Sequence, residues 1–281
     1  MGAMSVVAML HPGQMGAALA VQARRNGTRV LWCPAGRSAA TARRAAAAEL
    51  TAVPDLGEML DAAEVVLSVC PPEFAADVAA HVADRGYQGI FVEANAISPE
   101  RCVGIAERLT AAGARVVDGA IIGPPPGNGA AARVYLSGET AAVESVAGLF
   151  RGTAAEPVVV MGGLGAASAL KMSFAGFNKA GLVLAAVSHA LAARHQVTDH
   201  LIAEAERLTR SPLARPGALP GLAARAWRWA PEMNEIADTL DADGLPSDLA
   251  RAAAEVLGHW QDDKDSWDLP VAEVLARLRG R

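Results

Sequence analysis

The chain has 281 residues, 52% hydrophobic but only 4% aromatic, and a formal net charge of −5. Such a length suits two domains with a substantial core, and an alanine-rich, aromatic-poor composition suits packed helices better than a β-sandwich. The negative charge gives no general attraction to nucleic acid or an anionic membrane, and Cys33, Cys70 and Cys102 are too scattered for a disulfide framework or a metal-binding pair, so a reducing cytoplasmic setting is expected.

No charged segment followed by an apolar core opens the chain, so no secretory signal is expected. Ser5 to Leu10 has the length and apolarity of a strand. HPGQMG follows, then a helical stretch ending at Gly27. Thr28 to Trp32 reads as a second strand, Arg43 to Leu50 as a second helix, and Glu64 to Val69 as a third strand before Cys70, Pro71 and Pro72. Gly89 to Glu93 is a further strand, Pro99 to Ala112 a helix, and Ala114 to Asp118, Val134 to Leu136 and Val158 to Val160 are strands. Strands separated by helices imply parallel βαβ crossovers and an α/β, doubly wound Rossmann sheet.

Beyond Gly165 the pattern is helical, broken by SPLARPGALPG (211–221), Pro231, Gly244 to Pro246 and Pro270. A long interdomain helix therefore leads into an all-α C-terminal domain, with domains expected at 1–162 and 163–281. The longest apolar tract, Val158 to about Ala193, contains Gly162, Gly163, Lys171, Asn178, Lys179 and His189, and reads as a buried helix rather than a membrane span.

In a Rossmann turn a pyrophosphate rests on the bare amides and positive dipole end of a helix, and glycines let the backbone come close. HPGQMG puts Gly13 and Gly16 at the second and third glycine positions and His11 at the first, directly between strand and helix. His11, Pro12, Gly13, Gln14 and Met15 are thus candidate cofactor contacts. At the end of the second strand, where an acidic residue would accept bonds from a ribose, stand Trp32, Cys33 and Pro34. Arg37, Ser38, Arg43 and Arg44 follow, offering positive charge and a hydroxyl to a 2′-phosphate, so NADP(H) is expected over NAD(H). Cys70, Pro71 and Asn95 fall at carboxyl ends of strands, where open α/β sheets bind ligands.

Taken in order, the Rossmann turn, EANAISP (93–99), DGAIIGPPP (118–126) and GGLGAASALKMSFAGFNK (162–179) resemble the β-hydroxyacid dehydrogenase superfamily, which includes 6-phosphogluconate dehydrogenase and imine reductases. The resemblance implies an NAD(P) domain, a long helix into a helical domain, and a homodimer whose second subunit helps close the active site. It also implies a catalytic lysine after the glycine turn, a role that Lys171 takes by position. Chemistry agrees: hydride transfer to a carbonyl needs an acid for the developing alkoxide, and burial lowers a lysine pKa toward neutrality. The chain uses arginine almost throughout, with lysine only at Lys171, Lys179 and Lys264.

On a helical wheel Leu170, Phe174, Phe177, Gly181 and Leu184 form an apolar stripe, while Lys171 and Asn178 share another flank. Asn178 is the expected partner of Lys171 in catalysis. The chain departs from the family pattern at Ala175, where an Asn is usual, and at Phe174. Ile121, Ile122 and Pro124 to Pro126 replace its Val, Ser and glycine, which implies a more apolar pocket. Ile122, Gly123, Lys179, Trp229, Glu232 and Asn234 are the expected substrate contacts. The leading expectation is ketone reduction or alcohol oxidation with NADP(H); alternatives are imine reduction and a non-catalytic NADP-binding dimer.

Overall fold

The computed structural model describes residues 5–207 and 215–278. Strands β1 (Val6–Met9), β2 (Arg29–Trp32), β4 (Val65–Ser68) and β5 (Ile90–Glu93) arise from short, almost wholly buried apolar runs, the form that a strand covered on both faces takes. They alternate with helices α1 (Gln14–Arg25), α2 (Ala39–Ala47), α3 (Leu56–Ala62), α4 (Ala75–Ala83) and α5 (Pro99–Ala111). Further on come β6 (Arg115–Ile122), β7 (Ala132–Gly138), α6 (Thr140–Gly148) and β8 (Ala155–Val159). A two-residue strand, β3 (Thr51–Ala52), completes an eight-stranded sheet of order β3-β2-β1-β4-β5-β6-β7-β8.

Ser38, Asp55 and Ser98 cap α2, α3 and α5, each side chain accepting the amide three residues on. Two apolar clusters cover the faces of the sheet, one built on Val7, Val92 and Leu136, the other on Val66, Phe91 and Leu109.

The parallel crossovers expected between strands and helices are found, and β6 and β7 are the exception. They run antiparallel in the register Asp118↔Ser137, because the short connection after Ile122 turns back at Gly123 instead of crossing over a helix. Gly123 sits at φ 132°, and a Cβ there would stand 2.9 Å from the Ala131 carbonyl oxygen, so the reversal requires glycine. β6 also continues four residues past Asp118, which the register pairs with Glu93 at the end of β5.

The chain divides into compact units at Met1–Lys171 and Met172–Arg281, so the division falls inside helix α7 (Ala166–Arg194) rather than in the glycine turn before it. The second unit contains α8 (Thr198–Glu206), α9 (Leu219–Ala223), α10 (Ala226–Ala242), α11 (Asp248–Leu257) and α12 (Val271–Ala276). The turn expected over 211–221 lies partly outside the described residues; its later part forms a 3-10 turn at Pro216–Ala218 and then α9.

Helix α7 is the long helix expected, but it is less buried than the sequence suggests. It is one unbroken helix of 29 residues, long and apolar enough by length and composition to cross a membrane, and only 33% of its most apolar stretch is buried. Polar residues do not interrupt it because each finds a place. Lys171 donates to a carbonyl, Asn178 donates back to Phe174 O, Lys179 pairs with Glu232, and His189 is buried. The buried side is lined by small and medium residues, Ala175, Val183, Ala185 and Ala186, whereas Phe174, Phe177 and Leu184 of the apolar stripe are exposed.

Candidate functional site

Strand β1 ends at Met9 and α1 begins at Gln14, leaving His11, Pro12 and Gly13 to turn the chain. The turn is tight: Gly13 N–H donates to His11 O at 2.8 Å. Gly16 is required where the helix passes the strand, since a Cβ there would lie 2.3 Å from His11 O. No side chain caps α1, its first turn holds no acidic residue, and a Cβ on Gly13 would meet nothing within 4 Å. The helix therefore offers uncapped amides and its positive dipole end across open space, and these residues fit an anionic pyrophosphate. Gln14 is exposed and Met15 half-buried in that turn, whereas Pro12 is buried.

Arg37 comes to the same place from the end of β2. Its charge acts on His11, whose imidazole is pushed down to about 4 by burial first and by Arg37 second, leaving it neutral at physiological pH. His11 Nδ1 is buried without a hydrogen-bond partner. Arg37 is exposed and makes no salt bridge among the described residues. Ser38 next to it is already engaged, accepting Thr41 N–H at 3.2 Å as the α2 cap and sharing a hydrogen bond with Thr41 Oγ1.

The carboxyl ends of β4 and β5 are tied together by Asn95. Its Nδ2 donates to Ser68 Oγ at 3.1 Å, its Oδ1 accepts Cys70 N–H at 2.5 Å, and its own N–H donates to Glu93 Oε1 at 3.1 Å. Asn95 is buried and, through its bond to Cys70 N–H, shapes the Cys70–Pro71 loop; Pro71 is exposed and Cys70 half-buried. Burial, with Glu93 beside it, pushes the Cys70 thiol up to about 12, so it stays protonated. Glu93 is pushed up to about 8 by burial, against the hydrogen bonds from Asn95 that favour its ionised form, and its Oε2 has no partner.

Further along the same edge, Lys171 Nζ donates to the Ile121 carbonyl at 2.8 Å. The helix start that carries Lys171 is held by residues to which the sequence alone assigned no role. Asp118 Oδ2 accepts Ser168 N–H at 2.9 Å and Ser137 Oγ–H at 3.0 Å, Asp118 Oδ1 accepts Ser168 Oγ–H at 2.7 Å, and Ser137 Oγ accepts Ala167 N–H at 3.0 Å. The available signal was a carboxylate closing an apolar strand, in IFVE (90–93) and again in RVVD (115–118).

Of the expected substrate residues, Ile122 is half-buried and Gly123 exposed in the first unit. Within the second unit Lys179 and Glu232 form a buried ion pair, with Lys179 Nζ 5.5 Å from the Trp229 ring centroid. Asn234 is exposed beside this cluster on α10, and the Asn178 amide is folded back onto Phe174 O of its own helix rather than toward Lys171.

Residues 7–163 match the NAD binding domain of 6-phosphogluconate dehydrogenase, and residues 192–260 match a domain of unknown function (DUF1932). No curated protein sequence matches the chain. The solved structures similar in fold include these three. Mycobacterium tuberculosis 3-hydroxyisobutyrate dehydrogenase with L-serine has a TM-score of 0.76 at 18% identity, covering 99% of this chain and 100% of that one. Psf3 in complex with NADP+ and 2-OPP has a TM-score of 0.70 at 18% identity, covering 97% and 99%. Streptomyces aurantiacus imine reductase has a TM-score of 0.54 at 18% identity, covering 99% and 100%. With the domain match spanning a sheet whose first helix is left open to an anion, the chain belongs to the 6-phosphogluconate dehydrogenase-like family of nicotinamide-dependent dehydrogenases.

Proposed function

We propose that the chain is an NADPH-dependent oxidoreductase acting on a small ketone or the matching alcohol, with Lys171 as the general acid or base. The observation that carries this reading is the Lys171 amine held 2.8 Å from the Ile121 carbonyl, at the carboxyl edge of the sheet to which the uncapped α1 also belongs. A nicotinamide cofactor bound at that edge supplies or accepts the hydride. In reduction the Lys171 ammonium gives a proton to the carbonyl oxygen as its π pair is displaced; in oxidation the neutral amine takes the hydroxyl proton back. Holding one N–H of Lys171 on Ile121 O fixes where the amine sits and leaves its proton-transfer chemistry intact.

Preference for NADPH is supported by Arg37, an exposed guanidinium with no salt bridge among the described residues, and by Trp32 and Cys33 standing where an acidic residue would read the ribose. A lysine on α7 favours oxygen over imine chemistry, since proton delivery to an alkoxide suits an ammonium. We also propose a cytoplasmic homodimer. Its support is the exposed row Phe174, Phe177, Leu184, Val187 and Leu191, which runs past Gly181 on a helix with no acidic residue, a surface suited to a second copy of the same helix.

The test is initial rates with a panel of small ketones and imines, using NADPH and NADH, for the wild type and Arg37→Ala. Turnover of ketones with NADPH is expected. Arg37→Ala should weaken NADPH by about tenfold or more, the worth of one charge-assisted hydrogen bond, while barely affecting NADH. Equal losses for both cofactors would remove the NADPH assignment, and turnover of imines alone would replace the ketone reading.

A further inference from the structure

We infer that Asp118 is the positioning residue for Lys171, acting through the first turn of α7; this rests on the reading of Lys171 as the proton-transfer group. Strand β6 and helix α7 meet at two rungs. At the first, the carboxylate of Asp118 accepts three hydrogen bonds, two from Ser168 and one from the Ser137 hydroxyl. At the second, Lys171 Nζ donates to the carbonyl of Ile121. Both rungs span three residues on each element, Asp118 to Ile121 and Ser168 to Lys171.

The two rungs lie one helical turn apart on α7, so a shift of the helix start moves both. The lysine stem spans from a helix start that Ser168 seats on Asp118 to the carbonyl of Ile121. A helix free to turn or slide by a fraction of its pitch would carry the amine off that carbonyl.

The first rung is built for rigidity. Asp118, Ser137, Ala167 and Ser168 are all buried. Asp118 and Ser137 face one another across the antiparallel pair, so their side chains share one side of the sheet. Ser137 Oγ passes the connection on by accepting Ala167 N–H. Two of the amides that a helix start leaves without partners are thereby taken by side chains from the sheet, and a carboxylate stands at the positive end of the helix dipole. The antiparallel strand, which the sequence pattern did not reveal, thus supplies part of the clamp.

The experiment uses the three lysines of the chain as probes. Full-length protein with 13C,15N-labelled lysine is titrated with pH by NMR as wild type, Asp118→Ala, Asp118→Asn and Ser168→Ala, with Lys171→Met identifying the Lys171 signal. In Asp118→Ala the Lys171 resonance should move and its titration midpoint should shift by about half a unit or more, with the Lys264 signal unmoved. Asp118→Asn, whose carbonyl still accepts from Ser168 N–H, should shift less, and kcat of Asp118→Ala should fall about tenfold to 100-fold with the NADPH Kd kept.

Should Asp118→Ala fail to fold, Ser168→Ala removes only the 2.7 Å bond and its Lys171 signal decides. An unmoved Lys171 resonance in every folded variant would overturn the assignment. Absence of wild-type turnover would count against the oxidoreductase reading alone, because the lysine spectrum reports the positioning without any substrate.

Discussion

Glu93 at the end of β5 and Asp118 within β6 are carboxylates that face one another in register, yet their surroundings differ. Asp118 accepts three hydrogen bonds, whereas Glu93 has one oxygen bonded to Asn95 N–H and the other without a partner. A buried carboxylate oxygen lacking a donor favours the neutral acid, so burial sets the Glu93 pKa at about 8. The charged and titratable groups acting on it are Asp118, Arg101, Cys70 and Cys102. Between its ordinary value and about 8 the folded chain keeps a proton that the unfolded chain has lost, so stability falls as pH rises through this window and levels off above it. Unfolding free energies from urea titrations at pH ~5 to ~9 should decline less steeply for Glu93→Gln than for wild type, by up to about 1.4 kcal/mol per pH unit. Identical slopes would mean that Glu93 is ionised in the fold.

Helix α7 does two jobs with two kinds of residue. Its start is fixed within the first unit by Asp118 and Ile121, and its middle is fixed within the second by Lys179 on Glu232, with Lys179 only 7% exposed and Glu232 9%. An ion pair so buried is worth little beyond its own desolvation, but it specifies one register between α7 and α10. The remaining face is apolar and open, with Phe177 81% exposed. The homodimer proposed above predicts a dimer for the wild type and a monomer for Phe177→Glu by light scattering, because an unpaired carboxylate would be buried at the contact. A Phe177→Glu protein of unchanged mass would move the second copy to another surface. Periodicity placed this stripe correctly on one flank of the helix but could not tell a face that meets the core from one left uncovered.

The Rossmann order was legible because each parallel strand is a short apolar run and each turn carries glycine or a capping residue, as at Gly13, Ser38 and Ser98. Two-residue β3 was too short to leave a pattern, and the reversal after Ile122 reads as an ordinary proline-rich loop until Gly123 is seen at positive φ. The bare start of α1 also followed from the sequence. Asp118, Ser137 and Ser168 did not, since their meeting depends on antiparallel register and on where α7 begins, neither of which local spacing encodes. Asn95 was found by its position at a strand end, but the bonds that occupy it with Ser68 and Cys70 come from the neighbouring strand. The most direct measurement is therefore ketone turnover by Lys171→Met alongside its NADPH Kd. Turnover should fall about 100-fold or more, the usual contribution of a general acid, with the Kd within about twofold of wild type; a variant that turns over at the wild-type rate would remove Lys171 from the chemistry.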